Sequence, residues 1–249
     1  MADGTGWPAS LWIVRHGESL GNVARDLAMR DGLSRIDIEA RDVDVPLSPL
    51  GQEQADAVGH WFAAMPADER PEIVLSSPYT RARQTAGRIV AEGGIGVDRV
   101  ITDERLREKE FGVLDRLTAR GIQETYPDQA EFRRILGKFY HRPPGGESWC
   151  DVILRLRSML DTVALHYGNK RVLIVGHQVV VLCLRYVIER LDEEAILRID
   201  RETEVANCGV TQYRREGDEL ALKLYNFTAP MQREGTPVTA EPDRKAAAG

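Results

Sequence analysis

Leu11-Trp-Ile-Val-Arg15-His16-Gly17-Glu18-Ser19 is the stretch that decides the fold. Its apolar run shows no polar alternation, the pattern of a short strand buried on both faces, and it stops abruptly at a cation, a histidine and a glycine. A second stretch, Val172-Leu-Ile-Val-Gly176-His177-Gln178, repeats the arrangement. Strands buried on both faces belong to parallel sheets flanked by helices, and open α/β sheets bind ligands just beyond the carboxyl ends of their strands. Two histidines, His16 and His177, are therefore delivered to one edge of one sheet. His60, His141 and His166 lack that strand-end context and read as ordinary hydrogen-bonded histidines.

Outward from these two segments, Ile73-Val-Leu75 and Val100-Ile101 read as further buried strands, and amphipathic stretches separate them. Helix starts are marked by Ser48-Pro49, by Ser77-Pro78 ahead of Tyr79–Glu92, and by Ser148 with Asp151 three residues on. Val210–Arg214 and Leu220–Phe227 flank Glu216-Gly217-Asp218, the signature of an antiparallel hairpin at a sheet edge. Strands interleaved with helices predict a three-layer α/β/α sandwich around a mostly parallel sheet with an antiparallel edge strand. Residues 11–228 form the expected single domain. Residues 1–10 are Gly-rich and polar, and residues 229–249 are rich in Pro, Ala and charge without periodicity, so both are expected to be flexible and to lack a packed core. Asp26–Val45 is long, charged and weakly periodic; it is either an excursion near the site or a surface insertion.

Composition excludes more than it assigns. The 249 residues carry 33 Lys plus Arg against 39 Asp plus Glu, a formal charge of -6, which argues against the long basic surface of a nonspecific nucleic-acid binder. No apolar run reaches the roughly 18 residues of a membrane span, and Met1–Ser10 does not resemble a signal peptide, so a cytoplasmic protein with neither nucleic-acid nor membrane partners is expected. Cys150, Cys183 and Cys208 form no CxxC pair, which leaves neither a disulfide scaffold nor a zinc site.

Two more segments carry chemistry. Ser76-Ser77-Pro78-Tyr79-Thr80-Arg81 follows a strand and places arginines in the first turns of a helix. Cations there oppose the helix dipole, and a bound phosphate would supply the compensation. Leu106-Arg107-Glu108-Lys109-Glu110-Phe111-Gly112 is a charged loop after the Val100-Ile101 strand.

In this order, Arg15-His16-Gly17-Glu18-Ser19 with Asn22, Arg81, Glu108 and His177 resembles the histidine phosphatase superfamily, also called phosphoglycerate-mutase-like, over nearly all of residues 11–228. Within it, Lys138-Phe-Tyr140-His-Arg142-Pro-Pro-Gly-Gly146-Glu147-Ser148 is similar to the fructose-2,6-bisphosphatase-like branch. The resemblance implies a phosphate monoesterase without metal or other cofactor, acting on a small phosphorylated metabolite such as a sugar phosphate. His16 would attack phosphorus, Arg15, Arg81 and His177 would surround the phosphoryl oxygens, and Glu108 would serve as acid and then base. Ser19, Asn22 and Gln178 join these as substrate-binding candidates. Arg134 and Lys138, one helical turn apart, are expected either to face a second anionic group or to form a solvated face. The implied chemistry leaves room for a homodimer. Two alternatives remain: a cofactor-dependent phosphoglycerate mutase, disfavoured because Glu108-Lys-Glu-Phe-Gly112 departs from the mutases' Glu-Arg-His-Tyr-Gly, and a phosphoprotein phosphatase or protein-interaction module.

Overall fold

In a computed structural model, residues 6–240 are described; residues 1–5 and 241–249, part of the two end segments, lie outside them. Six strands, β1 (Ser10–Arg15), β2 (Ile73–Ser76), β3 (Ile101–Thr102), β4 (Arg171–Gly176), β5 (Val210–Glu216) and β6 (Glu219–Phe227), form one sheet in the order β3-β2-β4-β1-β5-β6. β3, β2, β4 and β1 are parallel, whereas β5 runs against both β1 and β6. The antiparallel strand is thus one in from the edge, and β6 on the edge points the same way as the parallel four.

The unalternating apolar runs are explained by covering layers on both faces. Leu11 and Ile13 of β1, with Val172 and Ile174 of β4, pack under α6 (Trp149–His166), α7 (Gln178–Ile188) and α8 (Glu193–Glu202). Trp12 and Val14, with Leu173 and Val175, face the opposite layer of α2 (Pro49–Ala63) and α3 (Thr80–Glu92). Each fully buried aliphatic side chain contributes roughly 1.5–3 kcal/mol to this core. Further helices are α1 (Leu20–Arg30), α4 (Ala119–Thr125), α5 (Pro127–Tyr140) and α9 (Ala229–Glu234). Ser48 and Ser148 cap α2 and α6 as expected, the latter through a capping box with Asp151. Among the described residues, no helix is long and apolar enough to cross a membrane.

The structure corrects three expectations and decides a fourth that was open. Helix α3 does follow Ser77-Pro78, running Thr80–Glu92, but Ser77 does not cap it: Tyr79 stands at its N-terminus without a side-chain cap, and the Ser77 hydroxyl is used elsewhere. The segment after Thr228 is packed as far as it is described, because α9 buries Met231 against the Trp12–Phe62 side of the core. Beyond α9, Pro237 and Thr239 accept from the Gln54 amide, and Asn207 N donates to the Thr239 carbonyl. Gly6–Ser10 is likewise tied down, with Gly6 N donating to Ala164 O and Ala9 N to Lys170 O. Finally, Asp26–Val45 is an excursion at the site. Its first residues complete α1, its middle pairs with the 116–118 stretch, and its end forms a short 3-10 turn, Asp42–Asp44, against α3.

Candidate active site

β1 and β4 are neighbours in parallel register, with Arg15 opposite Gly176, so both strand-end histidines emerge at the same point. His16 N donates to Gly176 O at 2.9 Å, and the two imidazole centroids are 5.1 Å apart. Immediately afterwards the chain crosses the start of α2 at backbone contact. A Cβ on Gly17 would lie 2.3 Å from Gly51 O, and one on Gly51 would lie 1.9 Å from Glu18 O. Only glycines allow that crossing, and it turns Gly17 N toward Thr85 Oγ1, 3.0 Å away on α3. From below, Asn207 Nδ2 and Cys208 N donate to His16 O, so the β5 entry loop braces the same residue.

His16 is almost wholly buried, and its tautomer follows from one contact. Nδ1 lies 2.7 Å from Gly17 O, which can only accept, so Nδ1 carries the proton and Nε2 keeps its lone pair. Burial, and then the charges of Arg81 and Arg15, hold this histidine well below its ordinary pKa, outweighing the Gly17 contact, so the ring is neutral near pH 7. His177 is held down by burial and by Arg81, His16 and Arg15. Its Nε2 is 2.7 Å from Ser77 Oγ, which also accepts from Tyr79 N. With Ser77 donating to Nε2, Nδ1 carries the proton; it is buried without a hydrogen-bond partner, 3.6 Å from Glu108 Oε2.

The two arginines bring charge into the buried site. Arg15 is 1% exposed, with Nη1 donating to Val205 O. Arg81 sends Nε to His16 Nε2 at 3.2 Å, while Nη1 donates to Asp42 O (2.6 Å) and Oδ1 (2.9 Å) and Nη2 to Asp42 Oδ2 (3.3 Å). A carboxylate from the excursion thus occupies the donors that a phosphoryl group would use. Glu108 belongs to a loop held by Arg155, which donates to Glu108 O and to both oxygens of Glu147. Glu110 is directed instead to the Tyr79 hydroxyl, which separates it from the Glu108 position.

His16, His177, Arg15, Arg81 and Glu108 therefore converge. Ser19 and Asn22 meet each other in the capping box of α1, which engages the Ser19 hydroxyl and the Asn22 carbonyl but not the Asn22 Nδ2. Gln178 opens α7 directly after His177. Arg134 does not join the cluster: its side chain is 72% exposed and paired with Glu131. Lys138 turns to Asp200 at 2.5 Å and lies over the Trp149 ring. The two do not share a face, because Gly137 between them breaks α5 with φ +75°. Asp42, Thr85, Asn207 and Arg155 carry no signal in the sequence, and Ser77 reads there as a helix start, not as a partner of His177.

Two neutral histidines and two buried arginines at the carboxyl edge of an α/β sheet, with a carboxylic acid beside one ring, define a phosphate-ester enzyme. The sequence model of the histidine phosphatase superfamily, branch 1, matches residues 11–228, and the chain belongs to that family. Among curated relatives, a probable phosphoglycerate mutase GpmB of Yersinia enterocolitica is 29% identical over 204 residues, 81% of this chain and 83% of the relative. Two solved structures share the fold. A mycobacterial glucosyl-3-phosphoglycerate phosphatase complexed with inorganic phosphate has a TM-score of 0.67 at 23% identity, covering 89% of this chain and 99% of the other. A putative alpha-ribazole-5'-P phosphatase of Escherichia coli has a TM-score of 0.68 at 21% identity, covering 89% and 97%.

Proposed function

We propose that the chain is a metal-independent phosphatase that hydrolyses the monoester of a small phosphorylated metabolite, such as a sugar phosphate, through a phosphohistidine on His16. The observation that carries this reading is the His16 tautomer: Nδ1–H is committed to Gly17 O, and a neutral Nε2 lone pair stands beside Arg81. In the first step Nε2 forms a bond to phosphorus as the ester P–O bond breaks, and Glu108 gives its proton to the departing oxygen. In the second, water attacks phosphorus, its proton passes to Glu108, the P–N bond breaks and phosphate leaves. Arg15, Arg81 and His177 meet the charge on the phosphoryl oxygens without having to reorganise. Small phosphorylated metabolites are cytoplasmic compounds, and the reading places the enzyme there.

Turnover of an aryl phosphate in EDTA tests it. Wild type is expected to release phosphate and, after quenching, to carry an acid-labile phosphoryl label; His16→Ala should do neither. Retained turnover in His16→Ala would overturn the mechanism. The GpmB resemblance favours one second reading, a phosphoglycerate mutase. Interconversion of 2- and 3-phosphoglycerate faster than phosphate release, in enzyme primed with the bisphosphate, would select that reading.

A further inference from the structure

The two peptide units that follow His16 are held by side chains at both of their polar ends. In the first, His16 O accepts from Asn207 Nδ2 at 3.0 Å and Gly17 N donates to Thr85 Oγ1 at 3.0 Å. In the second, Gly17 O accepts from His16 Nδ1, and Glu18 N donates to Gln54 Oε1 at 2.9 Å. A peptide unit is planar, with its C=O and N–H pointing opposite ways, so the Gln54 contact aims Gly17 O at the imidazole. The tautomer and the direction of the His16 ring therefore depend on how firmly two amides, Gln54 and Asn207, are held.

Both amides are fully buried, and their far ends meet at one atom beyond α9. Thr239 Oγ1 accepts from Gln54 Nε2 at 2.9 Å and donates to Asn207 Oδ1 at 3.0 Å. The backbone partners leave no other orientation. Glu18 N only donates and His16 O only accepts, so Gln54 presents Nε2 and Asn207 presents Oδ1 at the far end. A group set between that donor and that acceptor must accept and donate at once, which a hydroxyl does with a single atom. Main-chain contacts bring it there: Asn207 N donates to Thr239 O at 2.8 Å, and Gln54 Nε2 donates also to Pro237 O at 2.9 Å. Valine in its place keeps the shape, removes both hydroxyl bonds and strips the buried Asn207 Oδ1 of this donor.

We infer that Thr239 is a positioning residue for the reaction: its hydroxyl locks Gln54 and Asn207 in the orientation that fixes the His16–Glu18 backbone and, through Gly17 O, the His16 ring. The inference rests on the reading of His16 as the nucleophile. Thr239 acts through two amides, so losing its hydroxyl slows attack on phosphorus and leaves phosphate binding in place. Arg15 donates to Val205 O and Arg81 to Asp42, neither of which belongs to this network.

The test uses the full chain and an aryl phosphate labelled at phosphorus. Wild type is compared with Thr239→Val, Thr239→Ser and Thr236→Val, the last making the same change in the same segment at a residue whose amide, not its hydroxyl, is hydrogen-bonded among the described residues. Two quantities are read: the rate constant for phosphohistidine formation at saturating substrate, by rapid quench, and the Ki of inorganic phosphate. Neither depends on the fraction of enzyme that is folded, so a variant of low stability still reports. Thr239→Val is expected to form the intermediate about tenfold more slowly with an unchanged Ki, the size of effect that a modest misplacement of a reacting group produces. Thr239→Ser should restore the rate, and Thr236→Val should match wild type. An unchanged rate in Thr239→Val, an equal slowing in Thr236→Val, a slowing that Thr239→Ser does not restore, or a Ki that rises as the rate falls overturns the inference. In each of those cases a phosphoryl label on wild type that His16→Ala lacks still supports the nucleophile. Wild type that carries no label overturns both.

Discussion

Replacing Asp42 with asparagine should tighten phosphate binding. At rest every donor nitrogen of the Arg81 guanidinium is engaged: Nε on His16, Nη1 and Nη2 on Asp42. A phosphoryl group bound between His16 and Arg81 must take over donors that Asp42 holds, so the measured affinity is a difference between two sets of charge-assisted bonds. Such a bond contributes roughly 1.5–3 kcal/mol when shielded. The Asp42 side chain is 42% exposed against 6% for Arg81, so the lower end applies, about 1.5 kcal/mol for the pair. Asparagine keeps the backbone carbonyl and one neutral acceptor, which leaves about 1 kcal/mol to be recovered by phosphate. That corresponds to about a fivefold fall in the Ki of inorganic phosphate and in the KM of an aryl phosphate. Steady-state kinetics with phosphate as competitive inhibitor at pH 7 and low ionic strength would measure both. A higher KM accompanied by a lower kcat would refute the reasoning, because Asp42 would then be holding Arg81 in the geometry that catalysis needs.

Three further outcomes are expected. Both site histidines titrate near 6.5 in the unfolded chain but well below it when folded, so below pH 6.5 the unfolded state binds more protons and stability falls with pH; above that value their contribution is flat. The slope is up to about 1.4 kcal/mol per pH unit for each histidine. Urea midpoints between pH 7.5 and 5.5 should show it, and His177→Asn should reduce it; an unchanged slope would contradict the buried neutral ring. Gly51→Ala should cost about 3 kcal/mol or more, since backbone cannot yield to backbone, whereas Gly87→Ala, with open space around its Cβ in α3, should gain about 0.5–1 kcal/mol; equilibrium denaturation separates the two. Met231→Ala should lower stability by about 2–3 kcal/mol although it lies beyond the sheet, and a neutral effect would mean that α9 does not stay docked.

What could be read from sequence, and what could not, divides along the range of the interactions. His16 and His177 were legible because strand burial and strand ends are local, and parallel register then brings two strand ends together without further information. Ser48 and Ser148 were legible for the same reason, since a cap binds an amide three residues on. Ser77-Pro78 carries the same local signature and misleads, because a hydroxyl beside Pro serves a cap or a distant imidazole equally well; only the fold brings His177 within 2.7 Å. Arg134 and Lys138 fail through backbone: spacing by four implies a shared face only in an unbroken helix, and Gly137 interrupts it.

The engagement of Arg81 by Asp42 spans 39 positions and has no spacing rule at all. It depends on where a weakly periodic excursion comes to rest, and that is decided by contacts such as Arg116 Nη1 and Nη2 donating to Ile38 O and Ala40 O from another loop. The packing of residues 229–240 is of this kind too. Their composition is that of a polar tail, yet one buried methionine and hydrogen bonds from Gln54 and Asn207 suffice to order them. Asn207 also donates to His16 O, so this C-terminal segment braces the loop that carries His16. The parts of the site that sequence conceals are therefore those that set its resting state, while His16 and His177 stand at strand ends, where local pattern exposes them.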